Sequence, residues 1–362
     1  MTDDNLLKRR EELKRELLSS ESKTLIDIIF DWVGRLYQKI SRSAETVSFW
    51  ISGLVIALSS LVIAFLISIL FDGFSLLKSD MFQFGIFAVV IALAFIITAK
   101  ITISMVITTF HDNVIDTIEA VTDLSDLKRW FAILYNIKKP LFFSLIYTII
   151  IGIYVPILWA TTKGDVLGFG FIILLIITSF QAGLFGYYGI VFLILPPRLR
   201  KYHFKLNTAN PSSSEVIDHL SDMLTNFVYM GAILAASVTL FVAYSGLLTR
   251  GITVGLLLAG WIPLTILFVW NQYALGKIIT TAKWKKLNEI QSKIEELETK
   301  ENIPSQETLE HLGKLMDYYD RIKATPKSAL DIRAGLNFLN SLLIPLLAFV
   351  LANFDVVLSF FS

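Results

Sequence analysis

Long apolar runs alternate with shorter polar segments along this chain. A helix rises about 1.5 Å per residue, so about 20 apolar residues cross roughly 30 Å of hydrocarbon. Runs of that length lie near residues 47–71, 82–108, 141–160, 167–196, 224–248, 252–275 and 336–357. The pattern predicts an all-α fold: a polytopic membrane protein with seven transmembrane helices and a helical layer on the cytoplasmic side.

The polar segment ahead of the first run carries a different pattern. Between residues 22 and 42, apolar side chains recur at helical spacing and charged side chains lie opposite. The apolar positions are Leu25, Ile28, Ile29, Trp32, Val33, Leu36 and Ile40, and the charged positions are Asp27, Asp31, Arg35 and Lys39. This amphipathic helix would either lie flat in the membrane interface or pack on the protein's own helices, because both arrangements bury the same face.

Two more polar segments are predicted to be helical. The second run continues through Ile115, Ile118 and Val121 without Pro or Gly, which predicts an unbroken helical stalk. Residues 277–335 carry apolar stripes on both sides of a turn at 302–305, which predicts an antiparallel hairpin packed on the span ends. The stripes are Leu287, Ile290, Ile294 and Leu297, then Leu309, Leu312, Met316 and Tyr319.

Positive charges indicate the orientation, because short cytoplasmic loops retain Lys and Arg. Of the 32 Lys and Arg residues, 29 fall in the segments 1–45, 100–139, 198–205 and 277–333. The others are Lys78, Lys163 and Arg250. We therefore expect a multi-pass protein of the cell membrane with a cytoplasmic N-terminus and an extracytoplasmic C-terminus. The expected parts are N-terminal cytoplasmic helices (1–45), spans 1–6 (46–276), a cytoplasmic hairpin (277–335) and the seventh span (336–362).

Composition narrows the class of function. Charged residues make up 17% of the chain, against roughly 25% in soluble domains. The net charge of +1 gives no reason to expect a nucleic-acid partner, and the absence of cysteine excludes disulfides, thiolate metal sites and a cysteine nucleophile. No hydrolase, nucleotide-binding or metalloprotease motif is present. We expect a protein that is not an enzyme and holds no cofactor.

One histidine has carboxylates nearby in sequence. His111 and Asp112 are followed by Asp116 and Glu119, which could share a helix edge with the imidazole. The group lacks a second His or any Cys, so a solvated helix face near the membrane surface explains it better than a zinc site.

Small residues cluster in two of the predicted spans. Residues at i and i+4 that are small let helix backbones approach closely, and an amide there can hydrogen-bond across helices or contact a ligand. We favour helix packing over a ligand or ion contact. The residues are Gln181, Ala182, Gly183, Gly186 and Gly189 in the fourth span, and Gly251, Gly255 and Ala259 in the sixth.

The last span carries a stripe of small and polar residues. Its members are Asn337, Ser341, Ile344, Ala348, Ala352 and Asp355, bordered by Asn340. Such a stripe can line a narrow water path with a ring of carboxylates at its outer mouth, or it can form the close-packed face of a buried helix. Packing is the commoner role of small residues in spans, and both interpretations stand.

The layout of the chain resembles one known family. Seven spans, an internal N-terminus, short outer loops, a helical inner layer and a pore-like last span are similar to the insect olfactory and gustatory receptor channels. The resemblance implies subunits held together by the inner layer, with the last span lining the pore of a tetramer. The stretch YDRIKATPKSALDIR at 319–333 also resembles uncharacterised prokaryotic membrane proteins.

Three functions follow as hypotheses. An oligomeric ion channel ranks first, a membrane scaffold that recruits a cytoplasmic protein second, and a secondary transporter third. The transporter ranks last because the sequence contains neither a repeat nor a charge at the centre of a span, and a secondary transporter would be expected to show one of them. The expected partners are the lipid bilayer, further copies of the chain and a cytoplasmic protein.

Overall fold

The computed structural model describes residues 3–19, 22–41, 48–72, 81–163, 168–208, 210–244, 251–300 and 306–325. These residues are almost entirely helical. The α-helices are α1 (Asp3–Leu18), α2 (Leu25–Ser41), α3 (Phe49–Asp72), α4 (Met81–Thr109), α5 (Val121–Leu134), α6 (Lys138–Lys163), α7 (Phe169–Leu193), α8 (Leu195–Leu199), α9 (Glu215–Tyr244), α10 (Gly251–Lys300) and α11 (Gln306–Ala324).

Helices long and apolar enough to cross a membrane identify an integral membrane protein. Five are found among the described residues: Phe49–Phe71, Gly85–Thr117, Lys138–Ile157, Phe169–Leu199 and Trp261–Thr299. The predicted fifth span, 224–248, overlaps α9 but is not among these five, and the seventh lies outside the described residues. The all-helical membrane fold is therefore confirmed, whereas seven crossings and their orientation stay predictions.

Helix α7 lies at the centre of this apolar layer. It contacts α3, α4 and α6, while α4 also packs on α9 and α9 on α10. Gly183 allows the closest approach to α6, since a Cβ there would lie 2.8 Å from the Ser144 Cα. Helices α3 and α6 leave many large apolar side chains uncovered, as expected of surfaces that face lipid. Examples are Leu54, Val62, Leu66, Phe142, Ile149 and Ile153.

Short helices and turns pack into a polar layer at one end of the spans. Helix α1 lies on α5, where Lys128 pairs with Glu16 at 2.5 Å and Leu13 and Leu17 are buried. Trp130 of α5 is fully buried and donates to the Val191 carbonyl of α7 at 3.3 Å. Aromatic packing and ion pairs together fix this layer on the span ends.

The prediction that the helix of the second span continues unbroken is wrong, because that helix ends at Thr109. A π-turn at Phe110–Val114 and a 3₁₀ turn at Ile115–Thr117 lead into an extended Ile118. Ile118 forms an isolated antiparallel bridge with Phe204, and its carbonyl accepts hydrogen bonds from Arg10 at 2.6 and 3.2 Å. These partners are distant in sequence. Their hydrogen bonds replace those that the backbone would have made in a continuous helix.

Helix α10 runs without a break from the apolar layer into the polar layer. Its 50 residues span about 75 Å. Helix α11 packs against the last turns of α10. The buried contacts include Leu287, Ile290 and Ile294 of α10 with Leu312 and Ile322 of α11.

Candidate ligand cavity between four helices

A cavity of about 370 Å³ lies between α4, α7, α9 and α10, and we call it the inter-helix cavity. Its volume falls within the range of pockets that hold small molecules. The wall is dominated by aromatic and aliphatic side chains, among them Phe95, Phe185, Phe192, Phe227, Leu234 and Leu267. An apolar ligand therefore fits this wall better than a polar one.

Three glycines lie on the wall of the cavity. Gly186 and Gly189 lie on the α7 wall, three residues apart and thus on one side of that helix. A Cβ at Gly189 would meet no atom within 4 Å, and one at Gly186 would meet only the Phe143 ring at 3.9 Å. On the α9 wall, Gly231 instead allows close contact, because a Cβ there would lie 2.3 Å from Leu264 of α10.

Several polar groups on the wall are already hydrogen-bonded within the protein. The Thr102 hydroxyl donates to the Thr98 carbonyl at 2.7 Å, one helical turn earlier. The Thr239 hydroxyl donates to the Ala235 carbonyl at 2.7 Å and accepts from the Trp261 indole at 3.2 Å. Groups satisfied in this way do not require water or a polar ligand. The inter-helix cavity is therefore suited to hydrocarbon.

Tyr188 connects the cavity wall to the polar layer. Its hydroxyl oxygen accepts a hydrogen bond from the Leu25 N–H at 3.1 Å, at the first residue of α2. Beside it, Lys100 of α4 forms an ion pair with Asp27. Thr24 and Asp27 cap α2 reciprocally, each side chain accepting from the other's backbone N–H at 3.2 and 3.1 Å. The start of α2 is thus tied to two of the cavity's helices.

The residues predicted for close packing fall into three groups. Gln181 is buried and its amide donates across to the Ile56 carbonyl of α3 at 3.0 Å, and Ala182 is partly buried. Gly186 and Gly189 lie on the wall of the inter-helix cavity, and a Cβ at Gly186 would contact the Phe143 ring of α6 at 3.9 Å. Gly251, Gly255 and Ala259 lie in α10, at positions where no side-chain surroundings are described.

The candidate pore residues of the last span lie outside the residues that the structure describes. They are Asn337, Asn340, Ser341, Ile344, Ala348, Ala352 and Asp355. The pore and packing interpretations of this stripe both stay predictions.

The carboxylates near His111 have separate partners. Asp116 pairs with Lys14 at 2.5 Å and Glu119 pairs with Lys285 at 2.9 Å, whereas His111 lies 2.5 Å from Asp112. Within the described ranges, no group of three or more His, Cys, Asp or Glu residues could hold a metal ion. These carboxylates therefore join α1 and α10 to the segment that follows α4.

A buried tyrosine strengthens the same layer. Tyr202 donates a hydrogen bond to Asp126 at 2.8 Å, and Asp126 also lies 3.4 Å from Arg198. Burial, followed by the hydrogen bond to Asp126, raises the pKa of Tyr202 well above its ordinary value. The phenol therefore stays neutral and keeps donating at physiological pH.

The chain matches no protein-family model, no curated protein and no solved structure. Its function therefore has to be inferred from the shape and chemistry of the cavity.

Proposed function

We propose that this integral membrane protein binds an apolar ligand of the acyl-chain class in the inter-helix cavity. The observation that carries the proposal is the wall itself, which is hydrocarbon and aromatic over most of its surface. Its four contributing helices come from distant parts of the chain, so the bound chain would bridge α4, α7, α9 and α10.

Wall atoms that border an unfilled cavity lose dispersion contacts. Water does not fill apolar cavities readily, because it finds too few hydrogen-bond partners there. A hydrocarbon chain supplies the missing contacts.

The opening of the cavity indicates how such a chain enters. Gly189 and Ile190 line the cavity, and both residues are exposed. This part of α7 lies within the apolar run Phe169–Leu199. A ligand would therefore pass into the cavity sideways from the bilayer, where acyl chains are abundant.

Selectivity in this site depends on shape. Moving a chain from lipid into an apolar cavity gains little from the hydrophobic effect, because lipid tails are as apolar as the wall. The gain in binding free energy comes from dispersion contacts with aromatic rings such as those of Phe192 and Phe227, whose centroids lie 5.0 Å apart. We therefore expect chain length and branching to matter more than headgroup chemistry.

Photolabelling tests the proposal. A fatty acid with a diazirine near the chain terminus is equilibrated with the reconstituted protein, irradiated, and its adducts are located by peptide mass spectrometry. We expect adducts on the cavity faces of α7, α9 and α10, and competition by unlabelled fatty acid. Adducts confined to the lipid-facing sides of α3 and α6, with no competition, would contradict a specific site.

The channel, scaffold and transporter hypotheses remain open beside this proposal. The stripe that motivates an oligomeric channel, at 336–357, lies outside the described residues. Cation currents from purified protein in planar bilayers would test it, and their absence under every voltage and lipid would favour the scaffold. Binding of an acyl chain is compatible with each of them, because the described lining of the inter-helix cavity comes from α4, α7, α9 and α10.

A further inference from the structure

Helix α2 has an apolar face that the protein covers only in part. One sector packs into the core and is buried: Ile26, Phe30 and Val33. A neighbouring sector is bare, with Trp32 59%, Leu36 42% and Ile40 74% exposed. Trp32, Leu36 and Ile40 are spaced four residues apart and form one stripe, which we call the α2 stripe. Packing on the protein's own helices therefore accounts for only half of the amphipathic pattern.

The position of α2 places the α2 stripe beside the surface that faces lipid. Its first turn is fixed to α7 through Tyr188 and to α4 through Lys100. It also contacts α3, which begins at Phe49. At that start of α3, Trp50 is 56% exposed, and the apolar outer surface of α3 continues with Leu54. Helix α2 and the start of α3 therefore both present exposed apolar side chains near the span ends.

Basic residues lie next to the α2 stripe. Arg35 and Lys39 are one position before Leu36 and Ile40, so they lie about 100° and about 60° around the helix from Leu36, the centre of the stripe. Within the described residues neither side chain forms an ion pair with a carboxylate, and the nearby Asp31 is paired with Lys23 at 2.5 Å. The Arg35 guanidinium donates only to the Asp31 backbone carbonyl among the described residues, at 3.3 Å. A tryptophan-containing apolar stripe flanked by basic residues is the arrangement of helices that lie in a membrane interface.

We infer that α2 is a membrane-interface helix that binds anionic lipid. The α2 stripe enters the edge of the hydrocarbon, while Arg35 and Lys39 contact lipid phosphates. A second copy of the chain or a soluble protein could instead cover the α2 stripe. The basic residues beside the stripe favour lipid phosphates over such a partner. This inference concerns a different surface from the inter-helix cavity and does not depend on it.

Spin labels on the full-length protein test the inference, because the chain has no native cysteine. Leu36→Cys reports on the α2 stripe. Gly34→Cys is the matched control, since a Cβ at Gly34 meets no atom within 4 Å and lies about 160° around the helix from Leu36. Each labelled protein is reconstituted in phosphatidylcholine vesicles with and without phosphatidylglycerol. Collision rates with oxygen, which concentrates in lipid, and with a water-soluble nickel chelate are then measured.

We expect the oxygen-to-nickel ratio to be several-fold higher at position 36 than at position 34. Adding anionic lipid should raise the ratio at 36, and Arg35→Gln with Lys39→Gln should abolish that increase. Equal ratios at the two positions would show that the α2 stripe faces water and would overturn the inference. A label at 36 that is shielded from both reagents would show a protein partner, and would overturn it equally.

Discussion

Filling the inter-helix cavity from within is the sharpest perturbation of the proposed ligand site. Gly189→Leu adds a side chain where a Cβ meets no atom within 4 Å. The new side chain begins on the cavity wall and takes up part of the space of about 370 Å³. Gly152→Leu is the matched control, because Gly152 of α6 has equally open surroundings and does not line the cavity. Both variants gain the same helix propensity.

The two variants separate an occupied cavity from an empty one. If an acyl chain fills the cavity, Gly189→Leu should lower photolabelling several-fold relative to Gly152→Leu. Its effect on unfolding should then be small, because leucine replaces contacts that the ligand already made. If the cavity is empty, the leucine should stabilise the protein by up to about 1.5–3 kcal/mol relative to the control, the range for burying a leucine side chain, seen as a higher Tm in detergent. Unchanged labelling together with that stabilisation would refute the proposed site.

Three further predictions concern the hydrogen bond between α7 and α2, the packing of α11 on α10, and the last predicted span. Tyr188→Phe should lose the hydrogen bond to α2, worth about 1 kcal/mol, and hydrogen exchange should quicken at the first turn of α2 while the spans stay protected. Ile290→Asp buries an unpaired charge between α10 and α11, so α11 should become sensitive to protease, whereas the exposed Ser292→Asp should leave it resistant. If the last span lines a cation path, Asp355→Asn should lower conductance most at low salt, and Ala348→Leu should reduce current in a folded protein.

Local periodicity accounts for the parts of the fold that could be predicted. The amphipathic pattern of 22–42 corresponds to α2, since helical spacing reflects a property of the segment itself. The pattern could not decide which half of the apolar face meets protein. Val33 is buried and the adjacent Trp32 is exposed, and that difference depends on neighbours from α3 and α4.

Long-range contacts explain what the sequence could not show. The extended Ile118 depends on Arg10 and Phe204, which lie far along the chain in opposite directions. Glycines give an ambiguous signal, because a small residue permits either close approach or empty space. Gly183 permits close approach to Ser144, whereas Gly189 lies beside open space at the inter-helix cavity. Only the arrangement of neighbouring helices distinguishes the two.

The most direct test of the central claim is an electron-density map of the protein crystallised from a lipid mesophase. The account predicts a continuous, tube-shaped density between α4, α7, α9 and α10 that enters beside Gly189 and passes the ring of Phe192. The density should disappear in Gly189→Leu. A cavity that is closed by movement of the helices, or filled by ordered water, would contradict the account.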